Sequence, residues 1–206
     1  MNKRGEIECG RGRVRFLPEE VPMPRLYLVR HGRAAASFAE AADPGLDEMG
    51  RSQAEAAGEK LAPLGPLAIV SSPLKRARET SAPLAARWQR KPVIEPAVSE
   101  IPSPGHMNFA ERAEWLRAYM TNGSWRGATP ELAQWREDVI AALVSRAEDT
   151  VVFSHFIAIN VATGAALGDD RVMVFRPDNC SVTVFDVENG KLRLVERGHE
   201  AETKVN

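Results

Sequence analysis

Three short apolar runs, each leading through a loop into a helical pattern, constrain this chain more than any other feature. Arg25-Leu-Tyr-Leu-Val-Arg30 has an unbroken apolar centre, so a strand there must be covered on both faces. Asp47 is placed to cap a helix that runs through about Leu61. A second run, Leu67 to Val70, precedes Leu74, Ala77, Ser81, Leu84, Ala85 and Trp88, which share one helical face. Pro83 is expected to kink or split that helix. Thr129 and Pro130 open a helix with the stripe Leu132, Trp135, Val139 and Leu143, ending near Ala147. Thr150 to Phe153 is the third run, and Ile157 to Leu167 the helix after it. Ser181 to Val187 and Leu192 to Val195 flank Asn189-Gly190, a two-residue hairpin signal. This order predicts a three-layer α/β/α sandwich with a mainly parallel mixed sheet, finished by an antiparallel hairpin.

A chain of 206 residues suits one core. We expect a single domain over 25–198, an irregular N-terminal extension over 1–24 and a tail over 199–206. Its 27 Lys and Arg offset 28 Asp and Glu, so no global positive field draws in nucleic acid or an acidic membrane. No stretch reaches the roughly 18 apolar residues of a membrane span, and the first residues lack the apolar core of a secretory signal. A cytoplasmic protein without nucleic-acid or membrane partners is expected, its oligomeric state left open. Cys9 and Cys180 are too few for a disulfide framework, and His31, His106, His155 and His199 never recur at metal-ligand spacing. Neither metal nor cofactor is expected.

In such a sheet, ligands collect beyond the carboxyl ends of the strands. Three charged segments fall there: Arg30-His31-Gly32, Ser71-Ser72-Pro73-Leu74-Lys75-Arg76-Ala77 and Ser154-His155. Each alone has an ordinary reading as a solvated arginine or a packed histidine. Together they supply imidazoles, guanidinium groups and hydroxyls beside two helix N-termini, which is the chemistry of a phosphate dianion pocket.

With the helix opening Leu46-Asp47-Glu48-Met49-Gly50-Arg51-Ser52-Gln53-Ala54, these segments resemble the histidine phosphatase superfamily, which includes the cofactor-dependent phosphoglycerate mutases. The resemblance extends across most of residues 25–190 and implies a phosphoglycerate mutase-like fold. It implies that His31 is the nucleophile carrying a phosphoryl group, that His155 is a donor to that group, and that Arg30 and Arg76 bind phosphate oxygens. It places the proton donor at Glu100, with His106 or Glu95 as alternatives, because the surrounding residues depart from the family pattern. The frequent phosphate-binding asparagine falls at Ser37. Arg33 stands in place of a glutamate at the pocket mouth, as a substrate contact or a solvent-facing side chain. Phe156 replaces a glycine, where it narrows the pocket or packs in the core. Trp115, Trp125 and Trp135, together with Phe109 and Tyr119, are assigned to an inserted region over about 101–130, expected to be a lid shaping the organic half of the substrate or core filling.

A metal-independent phosphomonoester hydrolase acting on a small phosphorylated substrate is the first expectation. A phosphoglycerate mutase-type transfer and a non-catalytic module binding phosphorylated ligands are the alternatives.

Overall fold

The computed structural model describes residues 23–36, 43–103, 105 and 107–201. Among these residues six strands, β1 (Arg25–Arg30), β2 (Ala68–Ser71), β3 (Val93–Ile94), β4 (Thr150–Ser154), β5 (Val182–Glu188) and β6 (Lys191–Glu196), form one sheet in the order β3-β2-β4-β1-β5-β6. β1, β2, β3 and β4 are parallel, whereas β5 runs antiparallel to β1 and β6 antiparallel to β5. The sheet is therefore mixed and mainly parallel. Asn189 and Gly190 both take positive φ, 51° and 71°, as a two-residue turn matching strand twist requires.

Among the described residues, five helices cover the two faces: α1 (Glu48–Leu61), α2 (Lys75–Trp88), α3 (Phe109–Asn122), α4 (Pro130–Val144) and α5 (Phe156–Leu167). Side chains alternate along each strand, so β1 sends Val29 towards α1 and α2 and sends Leu26 and Leu28 to the opposite layer. On the first face Val29, Ile69, Val151 and Phe153 pack with Leu61 and Leu84. On the second, Leu26, Leu28, Val70 and Val152 meet α5 and the apolar stripes of α3 and α4. α5 lies in the middle of this layer, with every residue from Phe156 to Gly164 buried.

Two expectations are corrected. Of the kink or split expected at Pro83, the split does not occur: α2 continues from Lys75 to Trp88. The proline's lost backbone donor is offset by packing: α1 passes so closely that a Cβ on Gly58 would lie 3.1 Å from the Cβ of Pro83. α4 ends at Val144 rather than near Ala147 because Arg146 folds back, donating to the Ala142 carbonyl at 2.8 Å and pairing with Glu95 at 3.0 Å. The expected extension over 1–24 lies largely outside the described residues.

The aromatic group between Glu100 and α4 fills space rather than standing clear of the fold. Trp115 stacks on Tyr119 at 5.4 Å between ring centroids, Tyr119 meets Trp125 edge-on at 5.9 Å, and Trp125 lies 6.0 Å from Trp135. These rings pack against the second core layer, whereas Phe109 is exposed.

One close approach couples α1 to the end of β1. A Cβ on Gly50 would stand 2.1 Å from the Arg33 carbonyl oxygen, a backbone atom that cannot swing aside. Gly50→Ala should cost about 1–3 kcal/mol in chemical denaturation. Gly127→Ala, where nothing lies within 4 Å of the added carbon, should change stability far less.

Candidate active site

Parallel pairing of β1 with β4 sets Arg30 opposite Ser154, and the ladder continues one step further as the His31 amide donates to the Ser154 carbonyl at 3.0 Å. His31 and His155 thus leave adjacent strand ends together, with ring centroids 5.0 Å apart. β2 ends beside β4, where the Ser72 amide donates to the Phe153 carbonyl at 3.0 Å, and the next turn starts α2 with Arg76. The three motif segments, far apart along the chain, meet at three adjacent strand ends.

His31 is 5% exposed and its tautomer is determined by its neighbours. Nδ1 lies 2.7 Å from the Gly32 carbonyl oxygen, which only accepts, so Nδ1 carries the proton. Nε2 then holds the lone pair, and it accepts from Arg76 Nε at 3.2 Å. Burial, followed by the positive charges of Arg76 and Arg30, holds this imidazole well below its usual pKa of 6.5. It is a neutral base with its lone pair directed at a guanidinium.

Secondary contacts hold this ring and its loop. The Gly32 amide donates to Thr80 Oγ1 at 3.0 Å, and Asn179 Nδ2 donates to the His31 carbonyl at 2.8 Å. The Cys180 amide donates to the Arg30 carbonyl at 3.0 Å, with Cys180 itself at φ 58°. Asp178-Asn179-Cys180 therefore serves to hold the loop, and burial pushes the Cys180 thiol up to about 12, so it is not a nucleophile at neutral pH.

Arg30 anchors one edge of its guanidinium on the Pro177 carbonyl at 2.8 Å and lies 5.2 Å over the ring of Phe156. Phe156 is 4% exposed and belongs to the core layer, so it supports Arg30 from beneath. Arg76 is almost fully buried and has Asp43 at 3.8 Å. Burial lowers the pKa of both arginines, but not enough to discharge a guanidinium. His155 is fully buried, and desolvation, followed by the neighbouring His31 ring and the positive charges of Arg76 and Arg30, keeps it neutral as well.

Glu100 joins this group from the segment after a short 3-10 turn (Pro96–Val98). Its side chain is buried, and Oε1 accepts from the amides of Ile101 at 3.0 Å and Ile157 at 3.1 Å. Desolvation raises its pKa; the two amides and the charges of Arg76 and Arg30 offset this only in part. Glu95, the alternative, is committed elsewhere, capping the 3-10 turn and pairing with Arg146. His106 and Ser37 lie outside the described residues.

Two features were not legible in the sequence. The N-termini of α2 and α5, read as anion seats, are already occupied by carboxylates: Asp43 accepts from the Lys75 amide at 2.9 Å, and Glu100 accepts from the Ile157 amide. No local signal marks Asp43, which reaches α2 from a loop far upstream. Arg33 is not drawn into the group either; its side chain is half exposed and pairs with Asp47, the cap of α1, at 2.5 Å. Among the described residues no cluster of three or more His, Cys, Asp or Glu side chains could hold a metal ion, and no helix is long and apolar enough to cross a membrane.

Glu100→Gln provides a test of this electrostatic balance. The amide oxygen can keep both backbone hydrogen bonds while removing the buried charge. Because the folded pKa is raised, the ionised carboxylate costs stability above its unfolded pKa of 4.5, and the cost vanishes as pH falls below it. Thermal melting should therefore show Glu100→Gln more stable than the parent near pH 7, with the gap closing towards pH 4.

The histidine phosphatase superfamily (branch 1) pattern matches residues 26–199. A glucosyl-3-phosphoglycerate phosphatase of Mycolicibacterium vanbaalenii is 29% identical over 154 residues, which span 73% of this chain and 67% of that protein. Among solved structures, a phosphoserine phosphatase variant of Entamoeba histolytica bound to phosphoserine superposes with a TM-score of 0.67 at 21% identity, covering 85% of this chain and 96% of its own. A native mycobacterial glucosyl-3-phosphoglycerate phosphatase gives 0.63 at 25% identity, covering 86% and 100%. With a buried neutral His31, its arginines and His155 assembled at the strand ends, the chain belongs to the histidine phosphatase superfamily.

Proposed function

We propose that this chain is a metal-independent phosphatase that hydrolyses a small phosphomonoester through a phosphohistidine on His31. The observation that supports this most is the fixed tautomer: Nδ1–H on the Gly32 carbonyl leaves the Nε2 lone pair available beside Arg76. A protein that only bound phosphate would gain from an imidazolium here, whereas attack on phosphorus needs the neutral ring.

In the first step Nε2 of His31 forms a bond to phosphorus as the ester P–O bond breaks. Arg76 moves its hydrogen bond from Nε2 to a phosphoryl oxygen, and Arg30 contributes its own N–H groups to the other phosphoryl oxygens. Glu100, its pKa raised by burial and raised further by the charge of the incoming phosphate, gives its proton to the departing alkoxide. In the second step water attacks phosphorus, Glu100 takes the water proton, and the P–N bond breaks to restore neutral His31. His155 donates to the developing charge, a contribution whose loss typically costs about 100- to 1000-fold.

The relatives named above act on phosphomonoesters of small molecules, which is the substrate class proposed here. Incubation with a labelled phosphomonoester panel should give an acid-labile, base-stable phosphoenzyme and inorganic phosphate, undiminished by chelator. His31→Ala should abolish the phosphoenzyme and lower kcat/KM by at least about 10,000-fold. Turnover without any phosphoenzyme would overturn the reading, and isomerised phosphoglycerate in place of inorganic phosphate would redirect it to a mutase.

Glu100→Gln should slow esters with alkyl leaving groups far more than p-nitrophenyl phosphate, whose phenolate departs without a proton. Equal loss on both would remove Glu100 from the role of acid.

A further inference from the structure

Ser72 lies under His155 at the heart of the site, yet the chemistry above assigns it no task. Its Oγ is 2.7 Å from His155 Nε2, 3.2 Å from the amide nitrogen of Leu74 and 3.5 Å from Ser99 Oγ. His155 is fully buried, and among the described residues its Nδ1 has no hydrogen-bond partner. A neutral imidazole has one N–H, and which nitrogen carries it decides whether the ring can donate to a phosphoryl oxygen.

The hydroxyl settles this by counting. The Leu74 amide can only donate, so one Ser72 lone pair is taken by it. The single hydroxyl proton then goes either to His155 Nε2 or to Ser99. If Nε2–H donated instead, Ser72 would have only the 3.5 Å contact to Ser99 for its own proton, at the limit of a hydrogen bond. That arrangement would also turn the Nδ1 lone pair towards any anion in the site. With Ser72 donating at 2.7 Å, a typical O–H distance, the Ser72 hydroxyl and His155 Nε2 are both satisfied, and of this pair only the His155 Nδ1–H is left open.

We infer that Ser72 is a positioning residue that fixes His155 as the Nδ1–H tautomer, turning its unpartnered nitrogen into a hydrogen-bond donor for the phosphoryl group. The catalytic consequence rests on the phosphohistidine reading; the tautomer does not. His31 obeys the same logic through a different partner, a carbonyl that forces the proton onto Nδ1 and frees Nε2. One ring is set up to attack, the other to donate.

Nitrogen-15 NMR of the full chain labelled in histidine tests this directly, since only His31, His106, His155 and His199 contribute and His155→Gln assigns the signal. Near neutral pH, His155 should show a protonated Nδ1 and an unprotonated Nε2. In Ser72→Ala the second tautomer should become populated, with kcat falling roughly 10- to 100-fold and KM changing much less. Ser72→Thr, which keeps the hydroxyl, should restore both tautomer and kcat. A protonated Nε2 in the parent protein overturns the inference without need of any variant. So does a Ser72→Ala protein whose spectrum and kcat are unchanged. If no phosphoenzyme forms but His155 is found as Nδ1–H, the functional reading falls while the role of Ser72 in fixing the tautomer stands.

Discussion

Everything at the site depends on the parallel pairing of β1 with β4, because it aligns the ends of two strands that are distant in sequence. Arg30 opposite Ser154 and the His31 amide on the Ser154 carbonyl bring two imidazoles within 5.0 Å of each other. A one-residue slip would turn every side chain of the strand to the opposite layer, and the burial of Leu26 and Leu28 on one face and Val29 on the other opposes such a slip. The core thus protects the register, and the register places the histidines. β5 completes the clamp from the other side, with the Arg30 amide donating to the Ser181 carbonyl at 3.2 Å.

This geometry gathers groups that cost free energy to bury. Two arginines, two neutral histidines and a carboxyl are held away from water, and each pKa shift in the cluster records desolvation as its leading cause. Such shifts gather where titratable groups must hold unusual protonation states at neutral pH. The expense is contained by contacts that take one edge of a group and leave another open. The Pro177 carbonyl holds Arg30, Asp43 stands near Arg76, and the amides of Ile101 and Ile157 hold Glu100. Phe156, which sequence reading could place either in the pocket or in the core, belongs to the core and reaches the site through the Arg30 it supports.

What the sequence by itself determined is what local chemistry writes. Unbroken apolar runs marked the central strands, Asp47 and Thr129 marked helix starts, and Asn189-Gly190 marked the hairpin, since each depends on neighbours a few residues away. His31, Arg76 and His155 were legible because strand ends in this architecture face one common edge. Tertiary structure alone decided the rest. Pro83 stays within α2 because a neighbouring helix packs on it, and Arg33 turns to Asp47 because that carboxylate lies within reach. Asp43, Glu100, Asn179 and Ser72 acquire the contacts that tie them to the site from residues between 32 and 148 positions away. Hydrogen-bond partners of buried side chains are chosen by packing, and packing depends on the whole fold rather than on any window of the chain.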